Sequence, residues 1–263
     1  MSTPLPDLAD ELSLALRLAD LADGITLPRY ERKSFSVDWK ANRTEVTEAD
    51  RECEQRIADL IAERRPAHAV LGEEHGMRGS EDNEWRWVID PIDGTSNFVR
   101  GIPVWASLIA LVHRDHGPVV GVVSAPAMGR RWHAAAGIGA FVGTQRLQVS
   151  STDALADAQV SVTFNSGWDE LGLTDRLVLI QQQAYRARGF GDFWQHMLVA
   201  EGALDVAVDA IGLAPYDIAA VKVVVDQAGG MLTDRLGVNT YTSNSAISTN
   251  GRLHHTVIAL LNP

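Results

Sequence analysis

Apolar residues in the first quarter of the chain recur at helical spacing. Leu8, Leu12, Ala15, Leu16 and Ala19 share one face, which predicts an amphipathic helix over 8–23 opened near Pro6. Ala49, Cys53, Ile57, Leu60 and Ile61 define a second helical face from about residue 48 to 63, and Pro66 stops it. The period then shortens to that of strands. An apolar run over 69–71 is followed by Trp85, Trp87 and Ile89, which alternate into Asp90. Residues 104–114 and 119–124 read as adjacent strands around a turn at 115–118. Short strands over 131–136, 140–142 and 146–150 follow, divided by glycines.

After residue 150 the rhythm changes. A strand over 159–163 precedes a helix from Thr174, and a helix over 192–201 precedes a strand over 204–209. A helix over 217–227, short strands and a last helix after Gly251 close the chain. A meander-rich first half and an alternating second half predict an α+β unit over 1–150 joined to an α/β unit over 151–263.

Composition narrows the function classes. The chain has 263 residues, 46% of them apolar and 22% charged, which is enough to bury a core without disulfides or structural metal. Its formal net charge of −11 repels phosphate backbones and anionic lipid, so neither a nucleic-acid nor a membrane partner is expected. Cys53 stands alone and excludes an internal disulfide and a cysteine-based zinc site. The longest apolar stretch, 104–112, is far short of the roughly 18 residues that a membrane helix needs. Asp7, Asp10 and Glu11 do not make a basic leader, so a cytoplasmic protein is expected and the sequon Asn42-Arg43-Thr44 carries no meaning.

The chemistry concentrates in Asp90-Pro91-Ile92-Asp93-Gly94-Thr95. An apolar strand delivers two carboxylates at its end, where Pro91 and Gly94 break it into a turn. Carboxylate oxygens suit Mg²⁺, and the free N–H groups of Gly94 and Thr95 at a helix start suit phosphate. Alone, the pattern reads first as a strand–turn–helix with Asp93 as a helix cap. Thr47-Glu48-Ala49-Asp50 reads as a capping arrangement, Gly72-Glu73-Glu74 as solvated acids, and Asp217 as an acid at a helix start. Only their combination points to one site.

That combination, with Ser96-Asn97-Phe98 and Tyr216-Asp217-Ile218-Ala219-Ala220, resembles the inositol-monophosphatase family of Mg²⁺-dependent, lithium-sensitive phosphatases from about residue 8 to 260. The resemblance implies a layered αβαβα sandwich (mixed α+β and α/β), commonly dimeric, with the site between the halves. It implies that Glu73, Asp90 and the carbonyl of Ile92 hold a first metal, and that Asp90, Asp93 and Asp217 hold a second. Asp50 would help a third Mg²⁺ or orient water together with Thr95, giving two to three ions per site. Thr95, Asp50 and Glu73 are thus the catalytic candidates, and Gly94 and Thr95 the phosphate-binding ones. Paired metals roughly 4 Å apart can clamp the attacking and leaving oxygens of an in-line displacement, so no protein nucleophile is needed.

Rival chemistries do not fit. Position 59, six after Cys53, is Asp rather than Arg, position 92 is Ile rather than a second Asp, and no G-x-S-x-G is present. Gly137-Ile138-Gly139 lacks a correctly placed third glycine for a dinucleotide loop. His113 and His116 flank a turn and are expected at the surface, while Trp105 and Trp132 are expected in the core.

Residues 97–111, Val122-Val123-Ser124-Ala125-Pro126-Ala127, Arg130-Arg131-Trp132 and Arg188-Gly189-Phe190-Gly191-Asp192-Phe193 further resemble the actinobacterial histidinol-phosphatase branch of that family. The substrate so implied carries a cationic amine and an imidazole. Asp192 and Asp209 would meet the cation, and Phe193 or Trp194 would flank the ring, although Asp192 also reads as a helix cap. Tyr216 stands where the family usually has Trp, Ser96 where the branch often has Lys, and the segment 209–217 is one residue longer than usual. A cyclitol or other sugar monophosphatase, and a non-catalytic binding relative, stay open alongside.

Overall fold

The structure, a computed structural model, describes residues 5–39 and 44–262. Asn42 and Arg43 of the sequon lie outside these residues. Helix α1 (Ala9–Arg32) leads into a hairpin of β1 (Val37–Trp39) and β2 (Glu45–Thr47), and α2 (Glu48–Arg64) follows. Next come β3 (Ala69–Gly72), β4 (Gly76–Arg78), β5 (Trp85–Asp93), the short helix α3 (Thr95–Arg100), β6 (Ala106–His113) and β7 (Gly117–Ala125). The meander ends with β8 (Arg130–Ala135), β9 (Gly139–Val142) and β10 (Gln145–Arg146). The rest comprises β11 (Gln159–Val162), α4 (Ser166–Glu170), α5 (Thr174–Gln183), β12 (Arg186–Arg188), α6 (Asp192–Ala200) and β13 (Val206–Val208). Helix α7 (Pro215–Gln227), β14 (Met231–Thr233), β15 (Ile247–Thr249) and α8 (His254–Leu261) complete it.

Strands β3–β10 form one eight-stranded sheet in the order β10-β9-β8-β7-β6-β5-β3-β4, and β11–β15 form a five-stranded sheet in the order β12-β11-β13-β15-β14. Alternation along β5 explains the layering. Trp87 and Ile89 face α1 and α2, packing with Leu14, Leu18, Ile57 and Ile61, while Val88 faces α7 with Leu108, Ile218 and Val221. Strand β6 is buried along its whole length because helices cover both its faces, which is why it reads as an apolar run broken only by Ser107 before His113. Helices α6 and α7 form the middle layer between the sheets. Helices α5 and α8 cover the far side of the second sheet through Leu177, Ile180, Val257 and Leu261. The result is the αβαβα sandwich that the motifs imply.

The expectations for α1 and His113 need correction, and the strand expected over 146–150 is only the short β10. Helix α1 continues past residue 23 to Arg32, through Pro28. Leu27 and Tyr30 pack against the cluster of Ile92, Phe98 and Trp105, and the Tyr30 hydroxyl donates to the Gly101 carbonyl at 2.9 Å, so tertiary contacts outweigh the helix breaker. His113 is buried, only 5% exposed, with its ring edge-on to Trp85 and its Nδ1 accepting the Asp115 N–H. Trp105 and Trp132 are in the core as expected. Among the described residues, no helix is long and apolar enough to cross a membrane.

Candidate active site

The site grows from an irregularity in β5. Three residues apart, Asp90 and Asp93 would point to opposite faces of a regular strand. The pairing instead steps from Asp90↔Leu108 to Asp93↔Ala106, so β5 holds one residue more than β6. The extra residue falls at Pro91-Ile92, where proline has no N–H to give the ladder. The bulge turns both carboxylates to one side, and Asp217, from the first turn of α7, joins them. Ligand oxygens of Asp90, Asp93 and Asp217 lie within 4.8 Å of one another.

Neighbouring groups fix each acid. Asp90 Oδ1 accepts the Ile92 N–H at 2.9 Å, and Asp217 Oδ2 accepts the Ala214 N–H at 2.7 Å. Asp93 does not cap α3, where Gly94 holds the cap position in the left-handed region (φ +81°). Its Oδ2 accepts the Phe193 N–H at the start of α6 at 2.8 Å, tying the end of β5 to α6. Asp50 both closes the capping box of α2 through Thr47 and lies 3.3 Å from Thr95 Oγ1 through its other oxygen. The Thr95 hydroxyl also reaches the Ile92 carbonyl at 2.9 Å, and its single proton can serve only one of these acceptors at a time.

Glu73, Asp90, Asp93 and Asp217 line a cleft of about 380 Å³ bordered by Thr44, Glu45, Ser96, Gly212 and Tyr216, and among the described residues no Lys, Arg or His lines it. Their charges therefore work against one another. Burial first, and then Glu73, Asp93 and Asp217, push the Asp90 carboxyl well above the carboxylate range. Burial followed by Asp192 and Asp217 does the same to Asp93. Burial lifts Asp217 and Asp50 to about 7 each. A set of hard oxygen donors in mutual repulsion fits a small divalent cation.

Beside this cluster lies a second acidic group. Asp192 is the first residue of α6 rather than its cap, and it sits in the left-handed region (φ +48°). The Asn97 amide holds it there, donating to Asp192 Oδ2 at 3.0 Å and to the Val104 carbonyl at 2.8 Å. A Cβ on Gly94 would lie 3.5 Å from Asp192 Oδ2, so this carboxylate borders the turn at Gly94. Asp209 is buried one step further back, its Oδ2 2.9 Å from His196 Nε2, whose Nδ1 faces Ser248 Oγ at 2.7 Å. Phe193 belongs to the core, packed toward Trp132, so of the two aromatic residues expected at a substrate ring only Trp194 stays half-exposed.

The Inositol monophosphatase family model matches residues 7–262. The chain belongs to the inositol monophosphatase family. Within the family, the histidinol-phosphatase of Mycobacterium tuberculosis is 47% identical over 259 residues, spanning 96% of this chain and 98% of that protein. The histidinol-phosphatase of Streptomyces coelicolor is 43% identical over 266 residues, spanning 98% and 99%. Among solved structures, the extragenic suppressor protein suhB of Bartonella henselae superposes with a TM-score of 0.87 at 27% identity over 97% of this chain and 99% of that one.

Three residues around this acidic site escaped the sequence reading. Asn97 was one letter of a motif with no role attached. His196 left a trace, as a polar residue buried within the apolar stretch of α6. Glu54, fully buried beside Gly72, follows Asp50 by four positions, the spacing that places two residues on one helical face.

Proposed function

We propose that this chain is a Mg²⁺-dependent phosphomonoesterase that hydrolyses L-histidinol phosphate to L-histidinol and phosphate. The observation that carries the reading is the pairing of two acidic groups: the cluster of Asp90, Asp93 and Asp217 at the turn, and Asp192 with Asp209 immediately beside it. The first suits a cation-assisted phosphate site, and the second suits a leaving group that is itself a cation. The names of the two actinobacterial relatives support the same substrate.

In this reading Glu73, Asp90 and the Ile92 carbonyl would hold one Mg²⁺, and Asp90, Asp93 and Asp217 would hold a second, with Asp50 available to a third. Bound Mg²⁺ supplies the charge that offsets these acids and the phosphate, and acidifies the attacking water. Thr95 Oγ1 orients that water by accepting its hydrogen while donating its own to Asp50 Oδ1. The N–H groups of Gly94 and Thr95 hold phosphate oxygens. Asp192, and behind it Asp209 steadied by His196, meet the ammonium or imidazolium of histidinol.

Phosphate release from L-histidinol phosphate and from inositol 1-phosphate at equal concentration, with Mg²⁺ and then with chelator, tests the proposal. Mg²⁺-dependent preference for histidinol phosphate is expected. The reverse preference would support a second reading, a cyclitol or sugar monophosphatase, which the lengthened segment 209–217 favours because Gly212 and Tyr216 border the cleft. The proposal also includes a cytoplasmic homodimer of 28.6 kDa chains and a division at 1–150 and 151–263, resting on family membership and on the two sheets. Sedimentation and limited proteolysis check these two points.

A further inference from the structure

Helix α2 carries a second buried acid that the roles above leave unused. Glu54 is 1% exposed and lies one helical turn beyond Asp50. A carboxylate taken out of water needs donors, and those of Glu54 come from one short segment. Its Oε2 accepts the Glu74 N–H at 2.7 Å, and its Oε1 accepts the His75 N–H at 2.9 Å and lies 3.0 Å from His75 Nδ1. On the preceding residue, the Glu73 N–H donates to the Ile89 carbonyl of β5 at 3.2 Å. The backbone that carries Glu73 is therefore fastened to β5 at residue 73 and to α2 at residues 74 and 75. The fastening is close. A Cβ on Gly72 would lie 2.1 Å from Glu54 Oε1, although the backbone of Gly72 is not in the left-handed region. The β3–β4 hairpin does not depend on this contact for its closure, since Gly72 and Gly76, Leu71 and Met77, and Val70 and Arg78 already pair across it.

We propose that Glu54 is a positioning residue for cation binding: by gripping the N–H groups of residues 74 and 75 it holds the Glu73 carboxylate in register with Asp90. This rests on the reading of Glu73 as a metal ligand. Glu54 itself touches neither cation nor substrate, and it acts as the outer partners of metal ligands do, by fixing orientation.

The test is calorimetric titration of the full chain with Mg²⁺ alone, without ester, on the wild type, Glu54→Gln, Gly72→Ala and His75→Ala, with thermal unfolding to confirm that each is folded. Glu54→Gln should weaken Mg²⁺ binding about tenfold or more, the range typical of outer partners. Gly72→Ala, which leaves the chemistry of Glu54 intact but takes its space, should do the same. His75→Ala keeps both backbone hydrogen bonds and should leave the affinity unchanged. In turnover assays the Mg²⁺ requirement of Glu54→Gln should rise by that same factor, while kcat at saturating Mg²⁺ and KM for the ester stay near wild type.

A folded Glu54→Gln with wild-type Mg²⁺ affinity overturns the inference, as does a kcat that stays low at saturating Mg²⁺ with affinity unchanged. Should Glu54→Gln not fold, Gly72→Ala decides by the same criterion. A wild type that takes up no Mg²⁺ overturns the reading of Glu73 instead, and this inference falls with it.

Discussion

Thr95 and Glu73 do different work in the proposed mechanism, so their substitution should separate along different observables. The Thr95 hydroxyl stands 3.3 Å from Asp50 and 2.9 Å from the Ile92 carbonyl. Thr95→Ala should lower kcat about 100-fold, the scale of a lost proton-handling group, while calorimetric Mg²⁺ affinity stays nearly intact. A large loss of affinity would contradict the water-orienting role. Asp192 allows a test in which pH sets the sign. Burial, and then Asp209, lift its carboxyl to about 6. Folding thus raises the group above its ordinary value near 4, so the cost of its charge is small below pH 4, grows between pH 4 and about 6, and is fully present above that. Metal-free Asp192→Asn should be more stable than wild type at pH 8, by at most about 3 kcal/mol, and nearly equal to it at pH 4. The same variant should raise KM for histidinol phosphate about tenfold, the worth of one hydrogen bond to a charged group, and leave KM for inositol 1-phosphate unchanged. Equal effects on both esters would remove Asp192 from the leaving-group pocket.

The working elements are α7, which brings Asp217, and β5, which brings Asp90 and Asp93. Helix α7 lies so close on β7 that a Cβ at Gly121 would come 2.5 Å from the Ala220 carbonyl oxygen and 3.0 Å from Val223 Cβ. Gly121→Ala must push helix and strand apart. It should cost on the order of 1–3 kcal/mol by chemical denaturation and weaken Mg²⁺ binding as well, because the displaced helix carries Asp217. Loss of stability with wild-type Mg²⁺ affinity would show that the acidic cluster tolerates movement of α7. Much of this scale was legible in the sequence. The apolar face of α2, the run that became β6 and the position of α7 all followed from periodicity. The bulge in β5 was only half legible: Pro91 announced a break, but whether Asp90 and Asp93 would converge depended on the register against β6, a non-local property. The continuation of α1 through Pro28 and the burial of His113 were hidden for the same reason, since partners distant in sequence decide both.

For the whole molecule, the layered sandwich and the site at its centre are one design. Strand β5 of the first sheet supplies Asp90 and Asp93, α7 of the middle layer supplies Asp217, and Asp93 is fastened to the start of α6. The identity of these acids was legible because the motifs are compact. Glu54 and the His196–Asp209 pair were not, because they act through contacts that only the assembled layers create. Bringing the acids together without a cation costs stability, and burial and mutual charge have already raised Asp90, Asp93 and Asp217. A ligand that binds only the folded state returns that cost by mass action, about 2.7 kcal/mol at a concentration of 100 times Kd. Mg²⁺ should therefore raise the thermal midpoint at pH 8 by several degrees, roughly 5–10 °C for a chain of this size, and chelator should reverse the rise. Asp217→Asn removes one half-buried charge and one proposed ligand together, so its two effects oppose each other. In chelator the variant should melt above wild type, and in saturating Mg²⁺ it should melt below. A variant less stable than wild type under both conditions would mean that Asp217 chiefly serves the first turn of α7 through the Ala214 N–H, and that the cation is held elsewhere.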